Sequence, residues 1–113
     1  MIYHITPDQD WKAAREAGEY QGDTLTTEGF IHCSDENQVV GVANARFRGV
    51  TGLVLLCIDP EKVGPKIVRE NLEGGQAYFP HIYGSLNLDA VDSVVAFPPG
   101  EDGLFDLPGE LPR

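Results

Sequence analysis

The 113-residue chain is poor in the residue types that mark several specialised classes of protein. It has two cysteines, Cys33 and Cys57, too few for a disulfide framework. Cys57 falls inside an apolar stretch, as an inert core residue would, and the pair fits a reducing compartment. The longest apolar run, LVLLCI at 53–58, is far shorter than a membrane span. The opening MIYHITPDQD has no basic segment followed by an apolar one and a cleavage site, so a cytoplasmic location is expected. Basic residues are scarce as well: 8 Lys and Arg stand against 18 Asp and Glu, a formal charge of −10. Four acids and one base put −3 of it in 97–113 and leave −7 elsewhere. The bases, among them Arg46 and Arg69, are scattered, which excludes long nucleic acid as a partner. A small phosphorylated ligand held by one or two of them is still allowed.

What is present reads as one α+β domain over 1–96, followed by a tail over 97–113 rich in Pro, Gly and acid and expected to be loosely docked or disordered. MIYHI alternates like a strand. Thr6-Pro7 has the form of a helix start, with Trp11, Ala14 and Ala17 at helical spacing and Gly18 as the stop. EYQGDTLTT at 19–27 reads as a polar loop and GFIHC as a second strand. Ser34 followed by Asp35 and Glu36 is a hydroxyl cap with early acids, opening a helix with Val39, Val40, Val42, Ala43 and Phe47 on its apolar side. LVLLCI is apolar on both faces, hence a central strand. KIVRE is a short strand, AYFPHIYGS an extended segment whose Pro80 points to an edge or a bend, LNLDAV one helical turn and DSVVAF a last strand. The order predicts two main helices and a mixed or antiparallel sheet.

The three histidines, His4, His32 and His81, each fall in a predicted strand or extended segment, amid Tyr3, Phe30, Phe79 and Tyr83. Imidazole titrates near neutrality, so its placement matters. Taken singly, each fits a half-buried core histidine with one hydrogen bond. Together they predict one shared concave surface. Zinc held by three histidines, or by two with Cys33, is the rival arrangement, but no HxH, HExxH or CxxC spacing supports it. Cys33 as a nucleophile paired with a histidine is a further option. Strand alternation opposes it by turning Cys33 inward with Ile31 and His32 toward the other face. Glu28 reads as a solvated strand-end charge. Glu70, on the same strand face as Val68, is placed to act as a base or to stabilise positive charge.

MIYHIT, LTTEGFIHCS, NQVVGVANARF, LVLLCID and FPHIYGSLNLDAV resemble an uncharacterised family of small bacterial domains of unknown function, over about residues 1–96. That family in turn resembles, more distantly and in layout, the ADP-ribosyltransferase superfamily, which includes RNA 2′-phosphotransferases. The resemblance implies an ADP-ribosylation-type α+β fold and a cleft with His4 in the first polar position, His32 or Ser34 in the second, and Glu70 or His81 in the third. The chain departs from the tyrosine and paired-glutamate motifs of many active transferases. The implied catalytic set is His4, His32, Glu70 and His81, with Ser34 and Tyr83 binding the ligand, NAD as a possible substrate and no metal. A non-catalytic binding or interaction module and a metal-dependent hydrolase are the alternatives.

Overall fold

The computed structural model describes residues 1–72 and 74–111. Strand β1 (Ile2–Pro7) pairs antiparallel with β4 (Leu53–Ile58), which pairs antiparallel with β8 (Val91–Ala96). A second sheet has β6 (Phe79–Tyr83) between β3 (Ile31–His32) and β5 (Lys66–Glu70), and a two-stranded ribbon joins β2 (Glu19–Tyr20) to β7 (Leu86–Asn87). Every strand pairing among the described residues is antiparallel. The helices are α1 (Asp8–Ala17), α2 (Thr24–Glu28) and α3 (Glu36–Arg46).

Strand β4 organises the interior, because all six of its side chains are buried. Alternation sends Val54, Leu56 and Ile58 into one cluster with Ile2, Ile31 and Ile82. It sends Leu53, Leu55 and Cys57 into a second with Tyr3, Val39 and Phe97. Each fully buried Leu or Ile is worth about 1.5–3 kcal/mol against exposure, so this two-sided strand is a main source of cohesion. The two three-stranded sheets meet where Tyr3 and Ser34 exchange backbone hydrogen bonds of 2.8 Å in each direction. No helix among the described residues is long and apolar enough to cross a membrane.

Four expectations are corrected. The sequence predicts one sheet, whereas the strands divide into three, because β3 and β2 are two residues long and leave their partners early. The polar segment 19–27 is not loop throughout. It holds β2 and the one-turn α2, which ends at Gly29 in the left-handed conformation (φ +88°) that glycine adopts without strain. Pro80 lies in the central strand of its sheet rather than at an edge. Its carbonyl accepts from Cys33 N at 3.0 Å just where the chain turns from β3 toward β1, so the missing N–H breaks no continuous ladder. The tail is docked: Phe105 and Leu111 are buried with Phe97, the Phe97 and Phe105 rings are 4.8 Å apart, and Phe105 N donates to Asn44 Oδ1 at 2.7 Å. Composition counted its Pro, Gly and acid, but three well-spaced apolar side chains decide where it lies.

Candidate functional site

The register of the second sheet sets His32 directly opposite His81, with ring centroids 5.1 Å apart. Alternation around that pair turns Ile31, Cys33 and Ile82 into the core and the two imidazoles to the other side. There they border a cavity of about 430 Å³ whose other walls include Phe30, Phe79, Glu70 and Ser34. The Phe30 ring stacks on His81 at 4.2 Å and 20°, and also touches the rings of His32 and Tyr83. Helix α3 closes the far wall with Val42 and Arg46, one turn apart on one face.

Each imidazole is coupled to a carboxylate. His32 Nε2 is 3.1 Å from Glu28 Oε2, a contact made possible because α2 brings Glu28 back over β3. His81 Nδ1 is 2.8 Å from Glu70 Oε1, and the Tyr83 hydroxyl donates to the same oxygen. Those two hydrogen bonds, Tyr83 first and His81 second, hold the Glu70 carboxyl below the usual carboxylate range. The same contact pushes the Tyr83 phenol up. Glu70 Oε2 has no hydrogen-bond partner among the described residues.

His4 stands apart. It is buried, its ring does not border the cavity, and Nδ1 is 2.5 Å from the carbonyl oxygen of His32. Burial lowers its pKa to about 4, so the ring is neutral near pH 7. A carbonyl only accepts, so the proton sits on Nδ1, and Nε2 faces the Tyr20 hydroxyl 2.7 Å away. The Tyr20 oxygen is in turn 2.9 Å from Thr6 Oγ1, and burial raises the Tyr20 pKa to about 12. The chain supports the backbone of β3 from behind.

Of the residues expected to share one surface, His32, His81, Glu70 and Ser34 line the cavity. Tyr83 joins them through Glu70, and His4 reaches the site only through the His32 carbonyl. The alternatives Glu70 and His81 occur together as one hydrogen-bonded pair. Ser34 does not cap α3. Asp35 does, in a reciprocal capping box with Gln38, and Asp35 also receives Arg69 Nη1 at 2.6 Å. Cys33 is buried beside Ile31, and desolvation pushes its thiol up, far from a reactive thiolate. Tyr20 escaped notice in the sequence, where a lone aromatic between Gly18 and Gly22 was its only signal. Arg46 was visible only as a scattered base, and its four-residue spacing from Val42 was the available clue. Among the described residues no group of three or more His, Cys, Asp and Glu side chains is placed to hold a metal ion.

The fold is shared with protein CC0527 of Caulobacter crescentus. Its crystal structure is 34% identical over 94% of this chain and 93% of that one, with a TM-score of 0.85. A crystal structure of a double mutant of CC0527 gives a TM-score of 0.84 at the same identity and coverage. The solution NMR structure of CC0527 gives 0.84 over 97% of this chain and 95% of that one. No curated protein matches the sequence. The family model described as protein of unknown function (DUF952) matches residues 5–94, and this chain belongs to that family.

Proposed function

We propose that the protein binds a nucleotide-like small molecule in the cleft bordered by His32, His81 and Glu70, with NAD the specific candidate. The observation that carries this reading is the double hold on Glu70. Tyr83 and His81 both engage Oε1, which keeps the carboxylate ionised and oriented while Oε2 is open to a ligand. A fixed anion of this kind stabilises positive charge that develops in a transition state. With NAD, the glycosidic C–N bond would break, its electron pair would leave with nicotinamide, and Glu70 would face the resulting oxocarbenium carbon until an acceptor oxygen adds to it. Phe30 and Phe79 supply apolar wall for a flat ring, and about 430 Å³ is within the range of small-molecule sites. His4 is a positioning residue, since it touches the site only through the His32 carbonyl.

A non-catalytic binding module is the second reading. Phe30 covers one face of His81, which is only 4% exposed, and a ring so shielded is better suited to shaping a pocket than to exchanging protons. Calorimetric titration with NAD, histidine NMR and chromatographic detection of nicotinamide separate the two. The expected result is binding that moves the His32 and His81 signals and leaves His4 still, with nicotinamide release that Glu70→Gln abolishes while binding persists. Binding without release leaves the module reading. No response of either cavity histidine to millimolar NAD sinks both.

A further inference from the structure

Ser34 has no structural task for its side chain. Its N–H and C=O are both committed to Tyr3, and the helix cap it resembled in sequence is Asp35. The residue is 5% exposed, yet its hydroxyl makes no hydrogen bond to any described residue, and it borders the cavity. Its Oγ is not among the fully buried side-chain atoms that lack a partner, so it is reached from the cavity and is open to a ligand there.

Arg46 borders the same cavity from the other end of α3. Glu36 to Arg46 spans the 11-residue helix, about 15 Å of rise. Helical side chains lean toward the N-terminus, which brings the guanidinium back over Val42 and leaves it on the order of 10 Å from Ser34. The two therefore cannot grip one small group. Both border the one cavity, so a molecule that touches both is elongated. The imidazoles of His32 and His81 and the Glu70 carboxylate also border it, groups suited to sugar hydroxyls and the edge of a flat ring. Arg46 carries a fork of N–H donors, which matches a phosphate and serves more than one acceptor at a time.

Building on the nucleotide-like ligand proposed above, we infer that the cavity takes a nucleoside monophosphate lengthwise, its ribose hydroxyls against Ser34 Oγ and its phosphate on Arg46. Helix α3 thus acts as a ruler that separates the two contacts.

Adenosine and adenosine 5′-monophosphate are the probes, titrated by calorimetry and followed by amide NMR, which also reports that each variant is folded. The expected result is at least ten-fold tighter binding of the monophosphate. Arg46→Gln should remove that increment and leave adenosine unchanged, and Arg46→Lys should restore part of it. Ser34→Ala should weaken both probes by a similar factor, about three- to ten-fold, and leave their ratio intact. Equal affinity for the two probes, or an increment that survives Arg46→Gln, overturns the inference while the cleft reading stands. A Ser34→Ala variant that binds both probes as wild type does removes Ser34 from the site. Failure of both probes to bind refutes the nucleotide reading and this orientation with it.

Discussion

The two three-stranded sheets share the same antiparallel pairing, and each contains a histidine that faces into the protein. They handle that histidine in opposite ways. In β1-β4-β8 the imidazole of His4 is surrounded, neutral and satisfied by Tyr20 and a carbonyl. In β3-β6-β5 the imidazoles of His32 and His81 lie together beside the cavity, and each is tied to a carboxylate. The difference comes from the central strands. All six residues of β4 are covered by packing on both sides. In β6 Pro80 and Ile82 are fully buried, while Phe79 and His81 border the cavity. A strand packed on both faces contributes cohesion, and one packed on a single face is free to present chemistry.

The sharpest way to break this comparison is in the first sheet's own packing. Phe105→Ala leaves a hole beside Phe97 in the cluster that β4 shares with α3, and should cost about 3–5 kcal/mol by denaturant unfolding, with the cavity histidines unmoved in NMR spectra. A loss below about 1 kcal/mol would return the tail to the loosely docked state that its composition predicts.

His4 gives the next largest effect, through pH. Its folded pKa of about 4 is below the ordinary 6.5, so the unfolded chain binds the proton first as pH falls. The contribution is whole above pH 6.5 and is lost progressively down to about pH 4, a total of about 3 kcal/mol. His4→Gln, which keeps a donor and an acceptor, should flatten that part of the stability curve. A variant whose curve matches wild type would mean that His4 is not the buried neutral ring described here.

Smaller effects are expected in the second sheet. Tyr83→Phe removes one of the two donors on Glu70 Oε1 and should raise the Glu70 pKa toward the ordinary carboxylate value in carbon-detected NMR titration, with the melting temperature unchanged. The exposed Arg69–Asp35 pair should matter least. Arg69→Ala is expected to cost under about 1 kcal/mol, with salt abolishing even that.

The sequence carried the buried and strongly patterned parts of this fold. LVLLCI could only be an interior strand, and the alternation in FIHCS put Cys33 in the core with Ile31, although Cys33 also borders the cavity beside His32. It carried less wherever a long-range contact overrides a local signal. Ser34 has the chemistry of a cap, but Tyr3 takes its backbone and Asp35 takes the cap. TLTTE has weak helix formers, yet a single turn forms there because Thr24 Oγ1 donates to the Phe30 carbonyl at 2.7 Å and Gly29 supplies the stop. The pairing of Glu70 with His81 depends on the register of β5 against β6, where Glu70 sits opposite Phe79. No spacing within the sequence encodes that register.

The paired hydrogen bonds between Tyr3 and Ser34 carry a mechanical consequence. They rivet the two three-stranded sheets at the rim of the cavity, so one residue's main chain is fastened to the first sheet while the residue also borders the cavity beside the second sheet's histidines. Any splaying of the sheets about this rivet changes the gap between His81 and α3 while Ser34 itself stays in place. A molecule bound as proposed would bridge this fixed point and the wall formed by the second sheet.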